Sequence, residues 1–464
     1  NICNDKYHTD ITFQNIVQSG LDDPKVYQLL QKGYTQNIFQ FSSKGMTKFL
    51  VSMQPDKIED LIAANALFRP ATLDSGSTDK YVDCKLGDAD PVYICGTYNA
   101  MKNTYGVLCY QEQLAQIARE VGKFSLGEGV KLVKLISKKK VDKILALRDK
   151  FMAVANENGC PKEDAEAIWH MFEVAGGYLF NKSHATAYAV TAYAGAYLKA
   201  NYPTAFYTIA LQWAKDDEIP TLMSEMELCS EAKIVPPDIN VSGGTFITDY
   251  ETNKIFWSLS RIKMLGAKAT EWIINERNVR GEFSSIENFI ERIFRYKLKL
   301  YKYWDDPDNP NEATKCPVNA RHVRHLILSG CFDKVENAQS EKAAKCLGFE
   351  ISEKDIPEDL RNKHYFWSQQ QIAISGIGAI DYKRIYDNSE AKPQIKGKAS
   401  WALLKNIQDP DYDGKRVAIC ANIVDIEEKK FKDKKTGENR VFCKLLLQQN
   451  NDLVEMVIWN DEWM

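Results

Sequence analysis

The sequence predicts a mainly α-helical chain of several domains that gives way to a small β region. Three observations predict it. Helical apolar spacing runs from Asp22 to Lys233 with few interruptions. The run Val235-Pro236-Pro237-Asp238-Ile239-Asn240 marks a boundary, and from Arg416 onward apolar residues alternate as they do in strands.

The elements follow in order. Asp22-Asp23-Pro24 reads as a helix start, with Val26, Leu29 and Leu30 on its apolar face, and helical pattern continues to Met53. Residues 56–68 read as an amphipathic helix stopped by Pro70, and the Gly-, Ser-, Asp- and Thr-rich stretch from Asp74 to Asp90 reads as a loop. Gln111 to Val121 is a helix, Val133 to Asn156 one or two basic helices, and Ala165 to Ala210 is helical apart from a Gly176-Gly177 hinge. Pro220 to Lys233 adds one more helix. Gly243 to Ser260 alternates like a hairpin, Gly266 to Arg277 and Val318 to Leu328 are helical, and acidic Trp304 to Pro317 reads as a surface insertion. Residues 333–413 are mixed and polar. Arg416 to Glu427, Arg440 to Gln448 and Leu453 to Trp459 are strands, the first pair joined by a turn at Lys434-Lys435-Thr436-Gly437.

Composition bounds the function classes. A length of 464 residues exceeds one compact core and predicts about three domains. The net charge of −3 gives no global nucleic-acid signal, so such contacts must come from local basic patches. The eleven cysteines are scattered and form no CxxC pair, which argues against a disulfide framework or a zinc site and fits a reducing cytoplasm. His322 and His325 share a helix face but have no cysteine or carboxylate beside them to complete a ligand set. No window approaches the ~18 unbroken apolar residues of a membrane helix. A start at Asn1 with no signal peptide reads as a fragment or processed piece.

The densest chemistry lies in Ala175-Gly176-Gly177-Tyr178-Leu179-Phe180-Asn181-Lys182-Ser183-His184-Ala185, followed by Tyr188 and Tyr193. An amide, an ammonium, a hydroxyl and an imidazole crowd the start of an apolar helix, which suits a grip on phosphate or sugar. Further runs accompany it: Gln40-Phe41-Ser42-Ser43-Lys44-Gly45-Met46; Ala66-Leu67-Phe68-Arg69-Pro70; Thr104-Tyr105-Gly106-Val107-Leu108-Cys109-Tyr110-Gln111-Glu112-Gln113; Phe124-Ser125-Leu126-Gly127-Glu128; Lys138-Lys139-Lys140; and Lys199-Ala200-Asn201-Tyr202-Pro203. In this order and spacing, from about residue 20 onward, the chain resembles the C-family bacterial replicative polymerases, the DNA polymerase III alpha subunits.

That resemblance implies a domain plan: a palm- and thumb-proximal remnant at 1–55, α-helical fingers at 56–235, a helix-hairpin-helix region at 236–335 with its insertion at 304–317, a connecting region at 336–413 and a truncated OB-fold at 414–464. It implies DNA-directed DNA polymerase activity with Mg²⁺, on template-primer DNA and dNTP, in the cytoplasm beside a sliding clamp and other replisome proteins, with no membrane. The catalytic aspartates of the family lie in a palm outside this chain, so a palm-bearing segment or chain is an implied partner and no catalytic residue is expected here. Nucleotide contacts are implied at Lys134, Lys138, Lys139, Tyr178, Asn181, Lys182, His184 and Tyr188. On residue type alone, the lysine triplet is more often a solvated face, Tyr188 and Tyr193 core, and His184 structural. DNA contacts are implied at Lys44, at Lys263, Gly266 and Lys268 of the hairpin, and at Lys432, Lys434, Arg440 and Phe442 of the sheet.

Departures from the family pattern matter too. Val133-Lys134 stands where adjacent arginines are usual, Ser42 where a glutamate is usual, and Met264 where the hairpin has a glycine. A side chain at that last position resists positive φ, so a distorted hairpin is expected. Asp88-Ala89-Asp90 and Asp409-Pro410-Asp411-Tyr412-Asp413 read as solvated turns, not a substitute metal site. A non-catalytic DNA-binding or scaffold paralogue is the alternative reading.

Overall fold

The computed structural model describes residues 5, 7, 9–138, 141–298, 316–335, 364–376, 400–401, 404, 417–419, 421–432, 439–449 and 452–459. Lys139, Lys434, residues 304–315 of the expected insertion and residues 409–413 lie outside this set, and the side chains of Lys432 and Arg440 are not described. The chain forms two compact units, Asn1–Phe206 and Tyr207–Met464.

Every regular element of the first unit among the described residues is a helix. α1 (Phe13–Gln18), α2 (Pro24–Gln31) and α3 (Lys44–Met53) are N-capped by Thr12, Asp23 and Ser43, whose side-chain oxygens accept otherwise unpaired backbone N–H groups. α4 (Ile58–Leu67) is buried on nearly every side, not amphipathic as expected. Pro70 opens α5 (Pro70–Asp74), where its fixed φ and missing N–H are tolerated. The expected loop at 74–90 is instead largely α6 (Ser77–Leu86), bounded by Gly76 and Gly87 with φ of 71° and 86°. The glycines punctuate the helix rather than dissolve it, because Thr78, Tyr81 and Cys84 bury one face at helical spacing.

α7 (Tyr98–Met101) leads to α8 (Gln111–Glu120), and α9 (Leu126–Ser137) starts at a capping box formed by Ser125 and Glu128. α10 (Val141–Glu157), α11 (Lys162–Ala175) and α12 (Lys182–Asn201) follow. The break between the last two is not a hinge made by glycine freedom. Gly176 is α-helical (φ −57°), but a Cβ there would lie 1.8 Å from Ile136 Cγ2, so close packing excludes any side chain.

Two cores hold this unit. In one, Ala185, Ala189, Ala192 and Ala196 of α12 join Ala63, Ala64 and Ala66 of α4, small residues that let the helices approach closely. Tyr193 is fully buried there, and its hydroxyl accepts the Asp23 N–H at 2.9 Å, so it is core as its residue type implied. Lys199 is also buried, donating to the Gln36 carbonyl at 2.7 Å. The second core gathers Leu114, Phe124, Leu132, Phe151, Trp169 and Phe172 from α8 to α11. Each fully buried large apolar side chain contributes about 1.5–3 kcal/mol relative to exposure.

α13 (Pro203–Trp213) carries the division between the units, and α14 (Ile219–Cys229) follows. A three-stranded sheet then has β3 (Lys254–Phe256) at its centre, parallel to β1 (Lys233–Val235) and antiparallel to β2 (Ile247–Asp249). β2 and β3 are the expected hairpin. α15 (Ala267–Arg280), α16 (Ile286–Leu298), α17 (Ala320–Leu328) and α18 (His364–Ser375) follow. The Pro-Pro-Asp-Ile-Asn run ties this unit together: Asn240 exchanges two hydrogen bonds with the Phe283 backbone, at 2.9 and 2.8 Å, and Ile239 N–H reaches the Cys331 carbonyl at 2.9 Å.

The first expected β segment splits. β5 (Val417–Ala418) pairs with β4 (Ser400–Trp401), while β6 (Asn422–Lys432) begins a three-stranded antiparallel meander with β7 (Asn439–Gln449) and β8 (Asp452–Trp459). Cys443, Leu445 and Leu447 alternate into its buried face.

Candidate nucleotide and DNA interface

The motif 178–188 is assembled by its neighbours. Phe180 N–H donates to the Cys109 carbonyl at 3.0 Å, and Gln111 N–H donates to the Phe180 carbonyl at 2.9 Å. Gln113 holds the facing segment: its Oε1 accepts the N–H groups of Cys109 and Tyr110 at 2.9 Å each, and its Nε2 donates to Ala100 and Thr104. Tyr178 is half-buried, its hydroxyl accepting from Ser77 Oγ at 3.2 Å.

Asn181 caps α12. Its side-chain oxygen accepts the His184 N–H at 2.9 Å, while its Nδ2 donates to Glu112 Oε1 at 2.9 Å. The same carboxylate accepts the Lys182 N–H at 3.1 and 2.9 Å. The positive end of α12 therefore already faces an anion from α8. A phosphate can meet this segment through side chains, but not through the backbone N–H of Lys182 while Glu112 stays in place. The Lys182 ammonium lies 5.5 Å from the Tyr110 ring centre.

Two clefts flank Asn181. One, of about 350 Å³, is lined by Gln40, Ser43, Met46, Asn65, Phe68, Arg69, Phe180, His184 and Tyr188. Its wall is a column of rings: the Arg69 guanidinium lies 4.5 Å from Phe180, Phe180 is 5.5 Å from His184, His184 is 4.2 Å from Tyr188, and Tyr188 is 5.0 Å from Phe39. His184 is exposed and Tyr188 half-buried. Lys44 is exposed at the first position of α3, next to cleft residue Ser43. The other cleft, of about 390 Å³, is lined by Gln111, Glu112, Ala115, Gln116, Arg119, Leu126, Val130, Val133, Lys134 and Asn181. Lys134 and Lys138 are exposed one turn apart at the end of α9. The implied nucleotide residues are thus split: His184 and Tyr188 line the first cleft, Asn181 and Lys134 the second.

Arg69, part of the run Ala66 to Pro70, has no local sequence signal that assigns it a role. It is half-buried, and its Nε and Nη2 donate to the carbonyls of Ala66 and Tyr178. Burial lowers its pKa from the ordinary arginine value. No carboxylate pairs with Arg69, Lys182 or Lys134 among the described residues. A half-buried cation with no carboxylate partner among the described residues, facing a cleft, can accept an anion there.

In the second unit, Lys263, Met264, Gly266 and Lys268 are all exposed around the turn into α15. Met264 was expected to distort this hairpin; it adopts φ +69° instead, and the turn closes through Leu265 N–H to Ile262 and Gly266 N–H to Met264. Bonds on both sides hold it there. Lys263 N–H donates to the Ile374 carbonyl at 2.9 Å, the Lys263 carbonyl meets His325 Nδ1, and Arg261 Nη2 donates to the carbonyls of Leu211, Gln212 and Ala214. His322 joins a capping box with Asn319, so both histidines of α17 have structural partners. A non-glycine residue in the left-handed region costs about 1–2 kcal/mol, part of which glycine returns as unfolded-chain freedom. Met264→Gly is expected to stabilise this unit by about 0.5–1 kcal/mol, read as a higher urea midpoint; a lower midpoint would show that the turn is unstrained.

On the sheet, Phe442 is half-buried and pairs in register with Lys429 and Trp459. Asp88 and Ala89 bond through their N–H groups to the Asp83 carbonyl and are exposed, an ordinary helix end.

Cations at two clefts, and a hairpin feeding a helix N-terminus, are the equipment of proteins that handle polyphosphates and nucleic acids. The comparisons specify the family. The model of the bacterial DNA polymerase III alpha subunit finger domain matches residues 1–159, and that of a helix-hairpin-helix motif matches residues 231–302. The chain is 35% identical over 338 residues to the DNA polymerase III subunit alpha of Aquifex aeolicus, covering 72% of this chain and 27% of that protein. It is 36% identical over 325 residues to that of Thermus aquaticus, covering 68% and 24%, and 29% identical over 456 residues to that of Chlamydia muridarum, covering 95% and 35%. The chain belongs to the family of bacterial DNA polymerase III alpha subunits. It spans about a quarter to a third of the length of these relatives. No helix among the described residues is long and apolar enough to cross a membrane.

Proposed function

We propose that this chain is the nucleotide- and DNA-facing part of a replicative DNA-directed DNA polymerase, a nucleotidyltransferase. The observation that carries the reading is Arg69, a half-buried guanidinium with no carboxylate partner among the described residues, lining one cleft with His184 and Tyr188. In this reading Arg69 and Lys182 bind the triphosphate of the incoming dNTP, and Lys134 and Lys138 add positive potential beside them. Tyr188 and His184 offer ring faces to the base or sugar. The exposed hairpin at Lys263 to Lys268 tracks a duplex phosphate through the free N–H groups at the start of α15. The sheet residues Lys432, Lys434, Arg440 and Phe442 contact single-stranded template.

The residues of the Arg69 cleft do not fit catalytic Mg²⁺, because none of those lining it is a carboxylate. In this reading the ligands for that ion lie on a palm-bearing segment or chain outside this sequence, and no step through the metal is assigned to these residues. Template-primer DNA, a sliding clamp and other replisome proteins are the remaining partners, in the cytoplasm.

Primer extension with Mg²⁺, by this chain alone and with a palm-bearing segment, tests the reading. Extension is expected only with the segment, and Lys182→Ala and His184→Ala are each expected to raise the dNTP KM about 10-fold or more. Unchanged KM in both variants would remove the nucleotide assignment. DNA binding without extension under any pairing would favour the scaffold paralogue, and robust synthesis by the isolated chain would refute the placement of the metal ligands elsewhere.

A further inference from the structure

Cys95 lies 65 positions before Cys160 in the sequence, yet it converges with Cys160 and the nearby Asp164 in the first unit. Their two Sγ atoms and a carboxylate oxygen all lie within 4.8 Å of one another. The backbone fixes each of them. Cys95 sits at the corner of a tight turn in which Thr97 donates its N–H and its hydroxyl to the Ile94 carbonyl, at 2.9 and 2.6 Å, with Gly96 at φ +71°. Cys160 follows Gly159 at φ +80° just after α10, and its N–H reaches back to the Ala155 carbonyl at 3.0 Å. Asp164 stands in the first turn of α11. Cys160 is buried, whereas Cys95 and Asp164 are half-buried, so the cluster has a packed side and an open side. Among the described residues no cation pairs with Asp164.

We propose that Cys95, Cys160 and Asp164 form a binding site for a thiophilic divalent cation, Zn²⁺ in the first instance. Two thiolates and one carboxylate are a zinc-type donor set, too soft for Mg²⁺ or Ca²⁺. Tetrahedral Zn²⁺ with ordinary bond lengths sets such donor atoms about 3.5–3.8 Å apart, a small contraction from the arrangement present. Each thiol releases a proton to solvent on binding, and water takes the fourth position on the open side. The ion would clip the segment 87–97 to the corner between α10 and α11. The proposal rests on this geometry alone, independent of the polymerase reading.

Co²⁺ titration of the metal-free, reduced full-length chain tests it. One equivalent is expected to produce a thiolate-to-cobalt charge-transfer band and visible bands of tetrahedral intensity, both bleached by added Zn²⁺. Cys95→Ser and Cys160→Ser should each abolish the spectrum, and Asp164→Asn should weaken Co²⁺ binding on the order of 10-fold or more. Cys229→Ser, in the other unit, should leave the spectrum unchanged, and circular dichroism checks that every variant keeps its helices. Absence of the charge-transfer band, or its survival in a folded Cys160→Ser chain, would overturn the site. So would a Cys95–Cys160 disulfide in peptide maps of chain purified without reductant, because it consumes both ligands.

Discussion

Arg69→Ala is expected to weaken dNTP binding on the order of 10- to 100-fold, the equivalent of about 1.5–3 kcal/mol for hydrogen bonds to a charged group. The effect should appear in the dNTP KM of primer extension with a palm-bearing segment, and in direct titration of the isolated chain with dNTP. Arg69→Lys should recover little of it. Lysine keeps the charge but not the planar fork, whose Nε and Nη2 hold the Ala66 and Tyr178 carbonyls while the guanidinium lies over Phe180. Those anchors also join the end of α4 to the segment ahead of α12, so both variants need a thermal melt beside the kinetics. Equal losses in Tm for Ala and Lys, with no change in dNTP affinity, would make Arg69 a structural brace and nothing more.

Glu112 explains why side chains must do this work. Its carboxylate accepts the Lys182 N–H and the Asn181 amide, which gives α12 a neutralised N-terminus and fixes where the Lys182 stem begins. The sequence pattern pointed to a helix start that grips phosphate. It could not show that a residue 70 positions earlier already fills that place.

Local signals were legible where the chemistry is local. The cap at Asp23, the hairpin of β2 and β3 and the alternation of β7 all follow from neighbouring residues. What failed was longer in range. Residues 77–86 looked like a loop because their composition is polar, yet Tyr81 and Cys84 find buried partners and the helix forms. Met264 looked forbidden, yet bonds from Lys263 to α17 and α18 hold the turn in spite of its side chain. Of the candidate site, the run from Asn181 to Tyr188 was legible as a cluster. Arg69 became a candidate only when the fold set it against Phe180 with no carboxylate partner among the described residues. Cys95 and Cys160 show no metal-site spacing because the two come together only through packing of the second core.

Asp60→Ala is expected to destabilise the first unit by about 3–5 kcal/mol, the usual loss when one partner of a buried ion pair is removed. Asp60 has no exposed side-chain surface; Lys85 lies 2.9 Å away with 4% exposure, and Tyr81 donates to the same carboxylate at 2.9 Å. Asp56 closes the network through its N–H, at 3.1 Å, and through its own carboxylate, 3.1 Å from Lys85. Burial raises the Asp60 pKa, against the Asp56 N–H and the Lys85 ammonium, which lower it. Burial works to lower the Lys85 pKa, but both carboxylates outweigh it and the net shift is upward. A group raised in this way stabilises the fold at neutral pH and loses that contribution as pH climbs through its folded pKa, above the ordinary lysine value. In Asp60→Ala, Lys85 keeps only the exposed Asp56, and the Tyr81 hydroxyl loses its acceptor inside the α4–α6 packing. The double variant Asp60→Ala/Lys85→Met removes the stranded ammonium and should recover at least about 1 kcal/mol of the loss. Calorimetric melts of the wild type, the two single variants and the double variant form the cycle. Strict additivity of the two single losses would mean that the pair is not coupled and that the network contributes only packing.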